Sequence, residues 1–207
     1  MSDKYKFLSR LIITHKILRG IVFLFAIYLF AFPYIPALVY AFTPKPVVVP
    51  ATLELYSLPA EFLDSAKNKE HVLYIPKINV NQKIIETDRI QNVHENVWRF
   101  PTTSTPDAAG NTVMLAHRYR TLGGQSESTF YNLPKLENGD NLYVAWQGQI
   151  YIYTVDDTMV VTPKDIWILD PTDEPMLTLY TCTPLWTAEN RFVVRSKLIT
   201  VVVPGDE

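Results

Sequence analysis

Hydrophobic and polar positions change rhythm twice along this 207-residue chain. Residues 21–42 carry no charged side chain and show no polar face. A helix needs roughly 20 such residues to cross a bilayer's hydrocarbon core, and a helix of a globular core keeps one polar side. The pattern therefore predicts a transmembrane helix over 21–42. Pro33 and Pro36 are expected to bend or break its outer half, which a membrane helix tolerates. Tyr28, Tyr34 and Tyr40 suit an interfacial position. Residues 43–50, Thr-Pro-Lys-Pro-Val-Val-Val-Pro, form a stiff extended spacer. Residues 51–70 have modest helical character around 59–69, either a short helix over a domain face or a linker.

From His71 the period becomes that of strands. Short runs rich in Val, Ile, Tyr and Thr occupy 72–75, 83–86, 112–117, 141–145, 149–156, 159–162, 176–182 and 192–203. Turn residues separate them: Thr105-Pro-Asp107, Gly123-Gly124, Asn138-Gly-Asp140, Gln147-Gly148 and Asp170-Pro171. The segment 146–149 predicts a hairpin tip. No long helix and no internal repeat follows residue 70. Closely spaced strands of this kind imply an all-β, closed or nearly closed barrel.

Charge orients the first segment. Lys4, Lys6, Arg10, Lys16 and Arg19 precede the apolar run, and Glu54 and Glu61 follow it. The positive-inside rule then makes 1–20 a cytoplasmic tail, 21–42 an anchor, 43–70 an extracellular linker and 71–207 an external barrel. A cleaved signal peptide ending at Val39-Tyr-Ala41 is the competing reading; the length of the apolar run favours the anchor. The net charge of −2 shows no basic excess for nucleic acid. One cysteine excludes an internal disulfide, and four histidines without HExxH or CxxC spacing argue against zinc.

The candidate chemistry sits at strand ends. The lone thiol, Cys182, closes the run 176–182 and is followed by Thr183-Pro184. A free cysteine is ordinarily a small buried hydrophobe, but outside the cell an unpaired thiol is a liability unless used. His117 ends the run 112–116, and Arg191 opens the last one. A thiol, an imidazole and a guanidinium suit a nucleophile, an acid/base and an oxyanion stabiliser. His94, in a loop, is the rival base; His71 and His15 are poorly placed. Arg195 lies four residues from Arg191 on the same strand face and fits a solvent-facing charge. The acid pairs Asp156-Asp157 and Asp173-Glu174 read as solvated turns, not as the facing carboxylates of a glycosidase. The four tryptophans read chiefly as cross-strand packing.

The same residues carry a resemblance. Thr178-Leu-Tyr-Thr-Cys182 with Arg191 resembles the Thr-Leu-x-Thr-Cys…Arg signature of the sortases, membrane-anchored cysteine transpeptidases of bacterial and some archaeal surfaces. Leu73-Tyr-Ile-Pro-Lys-Ile78 resembles that family's opening strand, and Gly110-Asn-Thr-Val-Met-Leu-Ala-His117-Arg118 its Gly-Asn…Gly-His-Arg segment, with Ala116 in place of glycine. The likeness covers most of 71–207. It implies an eight-stranded β-barrel with short helices, with Cys182 as nucleophile, His117 as acid/base and Arg191 on the oxyanion or substrate. Thr181 and Thr183, flanking the cysteine, are expected to contact substrate. The implied substrates are surface proteins ending in a sorting signal similar to Leu-Pro-x-Thr-Gly, and the acceptor is an amine from cell wall or pilin. No organic cofactor is implied, and no acidic cluster argues for calcium. Cys-Thr-Pro with an arginine nine residues on resembles the pilin-type and housekeeping-like classes. The absence of an Asp-Pro-aromatic lid motif before residue 75 favours a class D/E-like housekeeping role. A hydrolytic cysteine peptidase of the same fold and a non-catalytic surface barrel are the alternatives.

Overall fold

A computed structural model describes residues 2–42, 58–87, 96–119 and 129–204. The chain forms two units, Met1–Val39 and Tyr40–Glu207. The N-terminal region holds helix α1 (Ser2–Ala31), a 3-10 turn (Phe32–Tyr34) and helix α2 (Ile35–Phe42). The apolar run 21–42 is thus not one helix. Its α-helical pattern breaks at Pro33, which has no N–H to donate to the helical ladder. Among the described residues no helix is long and apolar enough to cross a membrane.

The second unit is a closed barrel of eight strands among the described residues: β1 (Val72–Ile75), β2 (Val80–Ile85), β3 (Val97–Arg99), β4 (Asn111–Leu115), β5 (Asn141–Trp146), β6 (Gln149–Val161), β7 (Met176–Thr183) and β8 (Asn190–Val202). Around the barrel they run β1-β2-β3-β4-β7-β8-β6-β5, closing through β5 on β1. Only β2–β3 and β4–β7 pair in parallel. Leu73, Ile75, Val144, Leu177, Leu179 and Val194 fill the interior.

Three departures from the sequence pattern have physical causes. β3 was not expected: it has three residues, all buried, so no alternation marks it. The runs 149–156 and 159–162 form one strand. Its register against β8 shifts between Val155 and Asp157, and this irregularity lets Asp156 and Asp157 face solvent without ending the strand. Lys197 binds Asp156 across it at 2.9 Å. Finally, the expected linker 43–70 contains helix α3 (Ala60–Lys67), laid on the barrel. Phe62 and Ala66, four apart and so on one helix face, are buried against Val72, Tyr143, Ala145 and Ile152. Residues 43–57 lie outside the described residues. The expected hairpin at 146–149 is present. Gln147 and Gly148 both have positive φ, 51° and 84°, as a type I′ turn requires.

Phe62 is fully buried beneath α3. Phe62→Ala should destabilise the barrel by about 3–5 kcal/mol, measured as the shift in a urea unfolding midpoint; a loss below about 1 kcal/mol would show that α3 is not part of the cooperative unit.

Candidate active site

Successive strand residues face opposite sides. In β7, Leu177 and Leu179 point into the barrel core, so Tyr180 and Cys182 lie on its outer face. β7 is paired on both sides. On one side β8 runs antiparallel and sets Cys182 directly opposite Arg191. On the other, β4 runs parallel, with Leu115 opposite Tyr180 as the last ladder pair. The strand β4 ends there; the same register continued two residues would bring His117 level with Cys182. Arg191 is thus the ladder partner of Cys182 on the side away from β4. All three residues are half-buried, shielded from bulk solvent yet reachable.

Local bonds fix each of them. The His117 carbonyl accepts the Phe130 N–H at 2.9 Å, which holds the chain as it leaves β4. Arg191 Nη1 donates to the carbonyls of Ala188 and Asn190, each at 3.0 Å, so the guanidinium is anchored in the β7–β8 loop. Tyr180, next to Cys182 on the same face, has its phenol pushed up to about 12, first by burial and then by Cys182, with Arg191 acting the other way. It stays neutral at any working pH and competes with neither the thiol nor the imidazole as a charged group. Below Cys182 the strand is rooted by a buried network. Thr178 Oγ1 donates to Asn111 Oδ1 at 2.7 Å, and Asn111 Nδ2 donates to the Ile168 carbonyl at 2.9 Å and the Asp170 carbonyl at 3.1 Å.

The remaining sequence candidates separate cleanly. Arg195 pairs with Thr178, four pairs from Cys182 along β8, and its Nη2 lies 3.4 Å from Met176 Sδ. His71 stacks on Trp146, ring centroids 3.7 Å apart, away from the thiol. His94 lies outside the described residues. Thr181 is a correction: it is buried, and its hydroxyl donates to the Ala116 carbonyl at 2.9 Å. That hydroxyl ties β7 to β4 and is not offered to a substrate. The Thr183 hydroxyl accepts Arg118 Nη1 at 2.7 Å. In the sequence Arg118 stands only within the His-Arg segment, because nothing there shows that its side chain crosses to β7. Tyr119 and Trp186, just beyond, meet edge to face at 5.4 Å. Among the described residues no three His, Cys, Asp or Glu side chains gather as a metal site would need.

A family model for the sortase domain matches residues 73–199. This chain belongs to the sortase family. Its members are cysteine transpeptidases, and the matched span contains the Cys182, His117 and Arg191 constellation. Sortase SrtE1 of Streptomyces coelicolor is 29% identical over 62% of this chain and 40% of its own length. Sortase A of Streptococcus agalactiae is 26% identical over 69% of this chain and 60% of its own. The chain thus spans only part of these curated relatives. Among solved structures, Sortase E1 from Streptomyces coelicolor, with a tripeptide in the active site, superposes with a TM-score of 0.57 at 26% identity, over 66% of this chain and 91% of its own. Sortase C1 from Streptococcus agalactiae, in complex with MTSET, gives 0.58 at 30%, over 65% and 71%.

The two arginines of β8 make distinct predictions in this sortase. Arg191→Ala should lower kcat/KM by roughly 10²–10³, about the loss of an oxyanion-hole donor. Arg191→Lys should recover part of that, since an ammonium lacks the planar fork. Arg195→Ala should lose far less. Parallel kinetics on a sorting peptide decide it, and a crippled Arg195→Ala beside a near-normal Arg191→Ala would reverse the assignment.

Proposed function

We propose that this chain cleaves a C-terminal sorting signal similar to Leu-Pro-x-Thr-Gly and joins the shortened protein to an amine acceptor from cell wall or pilin. The observation that supports this reading is the ladder pair of Cys182 with Arg191, beside a β4–β7 register that, continued two residues, would bring His117 to Cys182. The Cys182 thiolate attacks the threonine carbonyl of the Thr–Gly bond, forming a C–S bond and a tetrahedral oxyanion. Arg191 donates to that oxyanion. As the oxyanion collapses, the C–N bond breaks and His117 gives its proton to the leaving glycine amine. A thioester remains. The acceptor amine then attacks it, losing a proton to His117, and the C–S bond breaks to restore the thiolate. A tripeptide occupies the active site of the solved Sortase E1, which supports a peptide in the corresponding groove here. The likeness to SrtE1 also supports a class D/E-like housekeeping role.

The same reading holds the barrel outside the cell, attached to the membrane through residues 21–42, with 1–20 in the cytoplasm. Its support is the basic flank ahead of a run whose described side chains, Ile21, Phe23, Leu24 and Phe30 among them, are apolar and exposed.

The test is mass detection with a Leu-Pro-x-Thr-Gly peptide and a soluble fragment starting near residue 51. The wild type should show a thioester adduct on Cys182 and, with an amine present, a product heavier by that amine. Cys182→Ala should remain folded and lose turnover by several orders of magnitude, as removal of a covalent nucleophile does. A carboxylic acid as sole product at saturating amine would make the protein a hydrolytic peptidase. Acyl-enzyme in Cys182→Ala would remove the thiol from the mechanism.

A further inference from the structure

Arg118 carries an unmatched charge. The guanidinium is half-buried, and burial pulls its pKa below the ordinary value, with Tyr131 and Cys182 acting the other way. Its Nε is buried and meets no acceptor among the described residues. Arg191 donates to two backbone carbonyls, whereas Arg99 and Lys77 have carboxylates, Glu86 for the first and Glu137 and Asp140 for the second. Among the described residues Arg118 has none. Its hydrogen bond is to Thr183 Oγ1, at 2.7 Å. Placing a cation in partial burial for one hydroxyl is costly, so the position asks for a reason beyond stability.

Geometry supplies one. The β4–β7 backbone ladder ends at Leu115 and Tyr180, before either reactive residue. Two side-chain bonds continue it. Thr181 reaches the Ala116 carbonyl, and Arg118 reaches Thr183. His117 lies between 116 and 118, and Cys182 between 181 and 183. The bonds therefore bracket the reactive pair on both sides. On β7, alternation puts Thr181 and Thr183 on the face opposite Cys182.

We propose that Arg118 is a positioning residue: through Thr183 it extends the β4–β7 register past the last backbone rung and keeps His117 level with Cys182. A misplacement of about 1 Å at a reacting pair costs on the order of 10²-fold.

The test uses the full chain with Arg118→Met, Arg118→Lys, Thr183→Val and the double variant Arg118→Met/Thr183→Val. Arg118→Met and Thr183→Val should each lower kcat for the sorting peptide roughly tenfold to a hundredfold, with KM within about twofold. The double variant should be no worse than the poorer single, because both remove one bond. Arg118→Lys, still a donor to Thr183, should recover most of the rate. This kinetic arm rests on the transpeptidase reading. A second arm does not: alkylation of Cys182 by iodoacetamide at neutral pH should slow in the same variants, as a thiol loses its imidazole partner. An inactive wild type with normal variant-dependent alkylation would sink the function and keep the rung. The rung is overturned if losses multiply in the double variant, if they fall on KM, or if Thr183→Val alkylates and turns over at the wild-type rate. Should Arg118→Met fail to fold, the isosteric Thr183→Val and Arg118→Lys decide alone.

Discussion

The site depends on one constraint, the two-sided pairing of β7. A strand in the middle of a sheet has its register fixed twice, and a slip of one residue on either side turns every side chain to the other face. Here the parallel pairing with β4 and the antiparallel pairing with β8 agree on a single arrangement. Leu177 and Leu179 must enter the core, and that requirement sends Cys182 outward. Hydrophobic burial thus decides where the thiol points, and hydrogen-bond register decides what stands beside it.

The division of labour along β7 follows from its period of two. Inward residues hold: Leu177 and Leu179 through packing, Thr181 through the Ala116 carbonyl, Thr183 through Arg118. Outward residues share the other face: Tyr180 and, two residues on, Cys182. Lower on the strand, the outward Thr178 turns to Asn111, which also fastens the turn ending at Leu169 to β4. Each polar group in that network is satisfied, as a buried site requires.

Much of this was legible in the chain, and the failures are instructive. Cys182, His117 and Arg191 stood out because polar, chemically capable residues ended apolar runs. Their meeting was not legible, because strand order is non-local and β4 lies beside β7 with two strands between them in sequence. β3 escaped notice for want of alternation, and Asp156-Asp157 mimicked a turn where the strand only bulges. Thr181 was misread because its place in the motif suggests substrate while its face of the strand forbids it. The bond of Arg118 to Thr183 was not legible, because it joins two segments 65 residues apart in sequence. The helical hint around 59–69 was correct in kind, but only the packed structure shows Phe62 docked on the barrel.

The central claim is that the β4–β7 pairing, continued past its last backbone rung, sets His117 level with Cys182. The chain's single cysteine makes a direct measurement possible. His117→Cys creates one second thiol, and neighbouring strands place facing Cα atoms within the range that a disulfide bridges. Arg191→Cys, opposite Cys182 in an observed ladder pair, is the matched control. After mild oxidation, thiol titration of unfolded His117→Cys protein should find no free thiol, with a monomeric mass two hydrogen atoms lighter. Two free thiols in oxidised His117→Cys, under conditions that close the Arg191→Cys pair, would contradict the register and the site built on it.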